Sequence, residues 1–383
     1  MDEVSKRQEA IRRLLLGEKL SKIASSLKKS RKWIYLWKKR FEQDPTGRWF
    51  IAISTAPISK PSKIIESLEQ QVIAIRKQLE GTEYSQTGAI AIQYEFISLG
   101  LAPPDVWTIN RIIRRHKLHI PTDRHKHPKE YPELFIHTHQ MDLVGPRSIK
   151  GEGHFYSINI IDVTTHSCHV KAIRTKTSSM ILAAIAEFWQ VDGMPDALQM
   201  DNELAFRGSN TSPHSFGKII RFALSQGVAV VFIPLSEPWR NGMIEKFNNT
   251  YDKQFYRKGI FKKVDDVIEA GKLFCAFHNA HHRYSSQEHK TPYEMKQLIM
   301  AAIKYKGTIH LAERIPLRQG VVYFIRFIRS DLKLKMPNET FLVKAELKYC
   351  YVVAEVNIYH QCLDIRQDFK IVQSFPYPVP VDW

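Results

Sequence analysis

Three carboxylates are the residues whose types and spacing best suit chemistry. Asp142 lies in the apolar run HQMDLVG, Asp201 follows the run ALQM, and Glu245 lies in PWRNGMIEKFNNTY, which has helical periodicity. Hard divalent cations prefer oxygen ligands such as these. Two such ions held close together stabilise both the attacking and the leaving oxygen of a phosphoryl transfer. The sequence therefore predicts a site with two Mg²⁺ or Mn²⁺ ions, in which Asp142, Asp201 and Glu245 are the catalytic residues and the metal ligands.

Composition narrows the class of substrate. The chain has 383 residues, enough for two to four domains, and 56 Lys and Arg against 39 Asp and Glu give a net charge of +17. This excess favours a polyanion, and a nucleic-acid backbone is the phosphodiester that fits. The four cysteines are widely spaced and predict neither a disulfide framework nor a zinc site. With no long apolar run and no apolar signal core, we expect no membrane span and a cytoplasmic location.

The first 45 residues predict a helix-turn-helix DNA-binding domain. They hold 13 Lys and Arg against six Asp and Glu, and their apolar residues recur at helical spacing. Ser21 and Ser30 stand where helix N-caps are expected. The third predicted helix, 31–41, is the one expected in the major groove. Its predicted DNA-contacting residues are Arg31, Lys32, Lys38, Lys39 and Arg40.

A second helix-turn-helix domain is predicted at 63–118, between a Ser- and Pro-rich linker at 46–62 and a basic linker at 119–132. Its helices are predicted at 64–79, 86–99 and 106–116. In the last helix we expect Trp107 to pack inward with the isoleucines. The outer face of that helix carries the predicted DNA contacts Asn110, Arg111, Arg114 and Arg115.

From residue 133 the apolar pattern changes to that of an α/β fold. Three successive strands are followed by alternating helices and strands, which predicts a mixed sheet over 133–300. Dense β-branched and aromatic runs at 310–383 predict a small C-terminal β-barrel. In that region we expect a set of cationic side chains to contact DNA or a neighbouring subunit, namely Arg326, Arg329, Lys333, Lys335, Lys344 and Lys348.

Four segments in the same order resemble the DDE transposases of bacterial insertion sequences, whose catalytic core is of the retroviral-integrase type. The segments are MDLVGP, QMDNELAF, SEPWRNGMIEKFNNTYDKQF and FHNAHHRYSSQEHKTPYE, and they cover about residues 135–300. The resemblance implies a ribonuclease-H-like fold, two divalent metals, and DNA strand cleavage and joining. It also implies a bacterial protein, associated with the nucleoid when bound to DNA.

Several polar residues near the triad have a structural interpretation as well as a functional one. Glu203 replaces the family's usual glycine, and we expect it to face solvent rather than to add a fourth carboxylate. We expect Asp162 to be structural, and His137 and His139 to be packed or hydrogen-bonded, because hard metals prefer oxygen. Two more acidic residues, Glu237 and Asp252, are expected to be solvated. The cationic residues expected to hold DNA near the helix of Glu245 are Arg240, Lys246 and Lys253.

The leading interpretation is a transposase that binds the ends of a mobile element in double-stranded DNA and catalyses DNA integration. A domesticated, catalytically silent DNA-binding descendant is the alternative from another class. An RNA-directed nuclease of the same fold is a third, which the helix-turn-helix candidates disfavour. Because transposition joins two ends, we expect a homo-oligomer, at least a dimer on DNA.

Overall fold

A computed structural model describes residues 2–52, 64–119, 131–208, 214–307 and 314–381. The chain forms two compact units, Met1–Ile65 and Glu66–Trp383. Most of the two predicted linkers lies outside the described residues. The α-helices are α1 Glu3–Leu15, α2 Leu20–Leu27, α3 Arg31–Gln43, α4 Glu66–Gly81, α5 Ala89–Ser98, α6 Val106–Arg115, α7 Ser178–Val191, α8 Leu204–Arg207, α9 Lys218–Ser225, α10 Gly242–Thr250, α11 Val264–His281 and α12 Pro292–Lys296.

The strands are β1 Thr138–Ile149, β2 Gly153–Asp162, β3 Cys168–Ile173, β4 Ala197–Met200, β5 Ala229–Phe232, β6 Val321–Phe327, β7 Lys333–Met336, β8 Glu339–Leu342, β9 Tyr351–Asn357, β10 Cys362–Gln367 and β11 Lys370–Pro376. In the part of the chain that the structure describes, no helix is long and apolar enough to cross a membrane.

The first unit is a three-helix domain, as its periodicity predicts. Ile23 and Ile34 are buried together with Ala10 in the centre of α1–α3. The side chain of Ser30 caps α3 by accepting a hydrogen bond from the Trp33 backbone N–H at 3.1 Å. The predicted cap at Ser21 is wrong, because α2 already begins at Leu20 and no side chain caps it.

Helices α4–α6 occupy the positions predicted for the second helix-turn-helix. The isoleucines Ile109, Ile112 and Ile113 of α6 are buried, as expected. Trp107 is not: its side chain is 67% exposed, and the Arg111 guanidinium lies 4.6 Å from the ring centroid. A helical position four residues away shares its face. The indole therefore belongs to the basic outer face of α6 and not to the core.

The turn between α4 and α5 packs on the α/β core of the same unit. The Tyr84 ring lies in edge contact with Phe274 of α11, at a centroid distance of 5.5 Å. The backbone oxygen of Tyr84 lies 3.0 Å from Nε2 of His282. Gln86 donates to the backbone oxygen of Arg283 at 3.1 Å. The Arg283 backbone N–H also donates to the side-chain oxygen of Gln86 at 2.8 Å. Aromatic burial and three hydrogen bonds thus hold the helical segment against the core.

The core sheet has the order β3-β2-β1-β4-β5, followed by the C-terminal strands. Strands β1, β2 and β3 are antiparallel neighbours, while β4 runs parallel to β1 and β5 runs parallel to β4. Helices α7 and α9 cover one face, and α10 and α11 pack on the other side against β1–β3. This is the mixed α/β, ribonuclease-H-like arrangement that the sequence predicts.

The C-terminal strands form where the sequence predicts them, but they do not close into a separate barrel. Strand β6 pairs in parallel with β5, and β9, β10 and β11 follow as antiparallel neighbours. The result is one sheet of nine strands, with β7 and β8 as a separate pair. Phe324 of β6 stacks on Phe232 of β5 at a centroid distance of 4.9 Å. The apolar edge of β5 therefore recruits β6, and this corrects the expectation of an independent C-terminal barrel.

Candidate active site

Asp142 lies in the middle of β1 and is held from two sides. One carboxylate oxygen accepts the Leu143 backbone N–H at 2.8 Å, and the other accepts the Asn248 side chain of α10 at 2.7 Å. Asn248 in turn accepts a hydrogen bond from Asn159 at 2.8 Å, and Asn159 lies opposite Asp142 on β2. Ser157 donates to Asn159 at 2.7 Å. This chain of hydrogen bonds fixes one carboxylate rotamer and links it to the helix of Glu245.

The start of α10 is also fixed by β1. The side-chain oxygen of Gln140 accepts the backbone N–H groups of Met243 and Ile244, both at 3.1 Å. These are N–H groups of the first helical turn, which have no partner inside the helix. Asn241 donates to the backbone oxygen of Met141 at 3.2 Å. Glu245 thus occupies the first turn of a helix whose N-terminus is attached to the residues preceding Asp142.

The segment around Glu245, whose periodicity predicts a helix, is helical throughout but irregular. A 3-10 turn over Pro238–Asn241 precedes α10, and a π turn over Tyr251–Tyr256 follows it. π turns inside helices occur frequently at functional sites.

Asp201 follows β4 directly, next to the end of β5. Its carboxylate accepts the backbone N–H of Glu203 at 2.9 Å. Glu203 is half-buried and pairs with Lys176 at 2.6 Å. Its negative charge also raises the pKa of both Asp142 and Asp201. Glu203 therefore remains partly exposed to solvent while it pairs with Lys176, a cation near the site that the sequence did not indicate.

The structure brings the three carboxylates into electrostatic contact. Burial raises the pKa of Asp142, Asp201 and Glu245, and the charge of Asp142 raises the pKa of the other two further. Among the described residues, no Lys or Arg forms an ion pair with any of the three. Their oxygens do not all lie within 4.8 Å of one another. Lys176 pairs with Glu203 and not with any of the three, although its charge lowers the pKa of Asp201. An all-oxygen donor set of this kind fits a divalent cation such as Mg²⁺.

A second cluster, His137, His139 and Asp162, brings its ligand atoms within 4.8 Å of one another. The Trp189 indole N–H donates to Nδ1 of the fully buried His139 at 3.2 Å, so the proton of that neutral ring lies on Nε2. A protonated nitrogen has no lone pair for a metal. Although burial alone raises the pKa of Asp162, its hydrogen bonds and His137 lower it to about 2. The cluster is therefore an ion-paired structural element, as the sequence predicts.

The two acidic residues expected to be solvated are both paired. Asp252, in the π turn, accepts from Arg147 of β1 at 2.7 Å and pairs with Arg257 at 2.5 Å. Glu237 accepts from the Tyr351 hydroxyl at 2.6 Å and from Arg240 at 3.2 Å. Arg147 lies 105 residues from Asp252 and Tyr351 lies 114 residues from Glu237, whereas Arg257 and Arg240 are local partners. Both acids therefore help to fix the ends of the segment that carries Glu245.

The three cations predicted to hold DNA near Glu245 differ in accessibility. The Arg240 guanidinium is bonded to Glu237 and Tyr351 and lies 4.3 Å from the Tyr131 ring centroid. These contacts engage most of the Arg240 guanidinium and leave few of its N–H groups to contact DNA. Lys246 and Lys253 are exposed. Those two lysines therefore have the accessibility that the DNA-contact prediction requires.

The predicted cations of the two helix-turn-helix segments mostly face outward. On α3, Arg31, Lys32 and Lys39 are exposed, whereas Lys38 pairs with Glu42 at 3.4 Å and Arg40 is half-buried over Trp37. On α6, Asn110 is half-buried, whereas Arg111, Arg114 and Arg115 are exposed. Arg115 also pairs with Glu69 at 2.8 Å.

Residues 1–48 match the family model of the homeodomain-like domain. The first unit is a homeodomain-like helix-turn-helix domain. Such domains place their third helix in the major groove of DNA, and α3 is the third helix of this domain. No curated protein matches the chain in sequence.

Among solved structures, the chain is similar to retroviral integrases. The catalytic core domain of HTLV-2 integrase, solved in complex with magnesium in a dimeric form, is 17% identical with a TM-score of 0.32, over 42% of this chain and 97% of that one. The simian T-cell lymphotropic virus intasome, solved with PP2A regulatory subunit B56 gamma, is 14% identical with a TM-score of 0.37, over 76% and 93%. The catalytic core domain of BIV integrase is 16% identical with a TM-score of 0.31, over 42% and 94%. At these low scores, the reaction must be inferred from this chain's own residues.

Proposed function

We propose that the chain is a DNA transposase of the DDE, integrase-core type, a metal-dependent polynucleotidyl transferase that cleaves and joins DNA strands. The proposal is supported by the placement of Asp142 in a strand, Asp201 at a strand end and Glu245 in a helix, all partly buried, with the charge of Asp142 raising the pKa of the other two. A homeodomain-like domain in the same chain and a net charge of +17 supply the affinity for DNA.

Each residue of the site has a defined task in this proposal. Asp142, Asp201 and Glu245 would hold two Mg²⁺ or Mn²⁺ ions, which supply charge neutralisation and polarise the scissile phosphate. Asn248 keeps the Asp142 carboxylate in one rotamer by donating to it. Gln140 holds the helix of Glu245 in register with β1. No protein nucleophile is needed, because positioning and charge stabilisation account for most of the catalysis of phosphoryl transfer.

Substitution of the carboxylates tests the proposed chemistry. Asp142→Asn and Glu245→Gln should each abolish Mg²⁺-dependent nicking of element-end DNA, because each removes a ligand charge at nearly constant volume. Glu269→Gln, on the exposed face of α11, is the matched control and should cleave like the unmodified chain. Full nicking by Asp142→Asn or Glu245→Gln would show that the site lies elsewhere.

DNA recognition is assigned to the exposed cations of α3. In the full chain, changing Arg31 and Lys32 together to Ala should weaken binding to duplex DNA and reduce its salt dependence, because each lost phosphate contact releases fewer counterions. Changing two exposed lysines outside both helix-turn-helix segments, Lys304 and Lys306, controls for net charge. Equal losses from the two double variants would show that α3 contributes charge only.

Pairing of two DNA ends requires two active sites in one complex. We therefore propose that the chain assembles at least as a dimer on DNA, as twofold symmetry provides most simply. Light scattering of the protein with end DNA measures the stoichiometry. A single chain per DNA end, at concentrations that support strand transfer, would contradict this assignment.

A further inference from the structure

Arg326 lies in β6, three strands from β1, and its side chain is buried with a residue exposure of 4%. All three guanidinium nitrogens are used. Nε donates to the backbone oxygen of Lys335 at 2.9 Å, and Nη1 donates to those of Ile233 and Ile325 at 3.0 and 2.9 Å. Nη2 donates to the side-chain oxygen of Asn202 at 2.8 Å. The expectation that this arginine contacts DNA or a neighbouring subunit is therefore wrong.

The buried guanidinium of Arg326 is bonded only to neutral oxygens and not to a carboxylate. No carboxylate lies within ion-pairing distance of Arg326 among the described residues, and its charge is balanced only by neutral oxygens. A buried charge without a counter-ion is destabilising by several kcal/mol unless it is fully hydrogen-bonded. Apolar side chains of similar volume often replace buried charges without loss of stability. The four hydrogen bonds of Arg326 offset this cost, and two of them end on Ile233 and Asn202, beside the turn of Asp201.

Asn202, the partner of Arg326, follows Asp201 directly. Its side-chain nitrogen donates to the backbone oxygen of Ile233 at 2.7 Å, while its oxygen accepts from Arg326. The Ile233 backbone N–H donates to the backbone oxygen of Met200 at 3.1 Å. The guanidinium and this amide thus lock together the ends of β4 and β5, at the point where Asp201 leaves the sheet.

We propose that Arg326 is a positioning residue of the strand-cleavage site, which acts through Asn202 to fix the turn that carries Asp201. The inference rests on the proposed function and deepens it: the C-terminal strands complete the active site and are not a separate accessory module. Groups that orient metal ligands from the next shell typically change metal affinity or activity 10- to 100-fold when they are removed.

The chain supplies a matched control in Arg221 of α9. Arg221 is 3% exposed and donates to backbone oxygens of Phe216, Ile315, Pro380 and Val381. It is thus another buried arginine of the same unit, and these four hydrogen bonds do not involve Asn202 or the turn of Asp201. Arg221→Met removes a similar number of buried hydrogen bonds without touching Asn202.

The experiment uses the full chain and the variants Arg326→Met, Arg326→Lys, Asn202→Ala and Arg221→Met. Steady-state cleavage of end DNA gives kcat and KM, and Mn²⁺ binding without DNA is followed by electron paramagnetic resonance. We expect the Arg326 and Asn202 variants to lose about 10- to 100-fold in kcat and to bind Mn²⁺ more weakly, with KM for DNA unchanged. The Arg326→Met/Asn202→Ala double variant should lose no more than the worse single variant.

Three outcomes decide the inference. Arg221→Met should be less stable but should cleave and bind Mn²⁺ like the unmodified chain once corrected for its folded fraction. If the Arg326 variants behave like Arg221→Met, the positioning role is refuted while the proposed function stands. If the unmodified chain neither cleaves nor binds Mn²⁺, the proposed function itself fails, and the inference fails with it. Should Arg326→Met not fold, Arg326→Lys and Asn202→Ala decide the question by the same readouts.

Discussion

Neutralising Asp201 should stabilise the metal-free protein. Only one oxygen of this carboxylate accepts a hydrogen bond among the described residues, from the Glu203 backbone N–H. In Asp201→Asn, the amide oxygen keeps that bond and the new NH₂ group points away from it. The substitution then removes a negative charge that lies close to Asp142 and Glu203. Relieving an unfavourable charge typically gains about 0.5–2 kcal/mol, or roughly 2 °C in melting temperature per kcal/mol for a unit of this size.

Asp142→Asn should not share this gain. Both oxygens of Asp142 accept hydrogen bonds, from Leu143 and from Asn248. An amide can accept only one of them and turns its NH₂ group toward the other donor. Leaving a buried donor unsatisfied costs about 1–3 kcal/mol, which offsets the relief of charge. Asp201→Asn and Asp142→Asn are therefore expected to change the free energy of unfolding by different amounts or in opposite directions.

Thermal unfolding with EDTA and with Mg²⁺ separates these effects. In EDTA, Asp201→Asn should melt above the unmodified chain and Asp142→Asn at or below it. At a Mg²⁺ concentration ten times the dissociation constant, binding stabilises the unmodified chain by about 1.4 kcal/mol, and Asp201→Asn should lose that increment. The pKa of Asp201 is raised in the folded state, so its charge destabilises at neutral pH, and the gain of the variant should shrink as the pH falls through that pKa.

A melting temperature of Asp201→Asn below that of Asp142→Asn in EDTA would refute the reasoning. It would mean that the Asp201 charge is compensated in the folded protein, and the argument for a divalent cation at this site would lose its basis.

Three further predictions concern other parts of the chain. Asn248→Ala should lower cleavage about 10- to 100-fold without changing DNA affinity, because a hydrogen bond to a carboxylate contributes about 1.5–3 kcal/mol. Asn249→Ala, on the exposed face of the same helix, is the control. An equal loss of cleavage from both variants would contradict the prediction. Burial lowers the pKa of His282 to about 4, so stability should decline as pH falls from about 6.5 toward 4, and His282→Gln should flatten that part of the acid unfolding curve. Trp107→Ala should change stability by less than about 0.5 kcal/mol yet weaken duplex DNA binding if α6 enters a groove, and gel-shift titration beside circular dichroism measures both.

Local patterns in the sequence predicted most of the architecture. The three helices predicted in the first 45 residues form as α1–α3, because apolar residues at helical spacing bury one face of each helix. The order of three strands followed by alternating helices and strands predicted the mixed sheet correctly, because hydrophobic periodicity reports which face of an element is buried. The positions of Asp142 in β1, of Asp201 after β4 and of Glu245 in α10 follow from the same periodicity.

Interactions between distant residues were not predictable in this way. Asp252 was expected to be solvated because nothing near it in sequence requires a carboxylate, yet its partner Arg147 lies 105 residues away. Arg326 was expected at the surface because arginine is seldom fully buried. Trp107 was expected in the core because large aromatics usually are. For Asp252 and Arg326 the deciding partners lie on other elements, and periodicity within one segment carries no information about them. For Trp107 the partner is Arg111, four residues further along the same helix.

The nine-stranded sheet changes how the C-terminal region relates to the proposed chemistry. A core that ended at β5 would expose an apolar sheet edge with unpaired backbone groups, which favours aggregation. Strand β6 covers that edge through three paired residues and the stacked rings of Phe232 and Phe324. The same strand delivers Arg326 to the turn after Asp201. Protection of the edge and the proposed positioning of Asp201 are thus functions of one strand. The cations of this region that are accessible to DNA are the exposed ones, such as Arg329, Lys333 and Lys348.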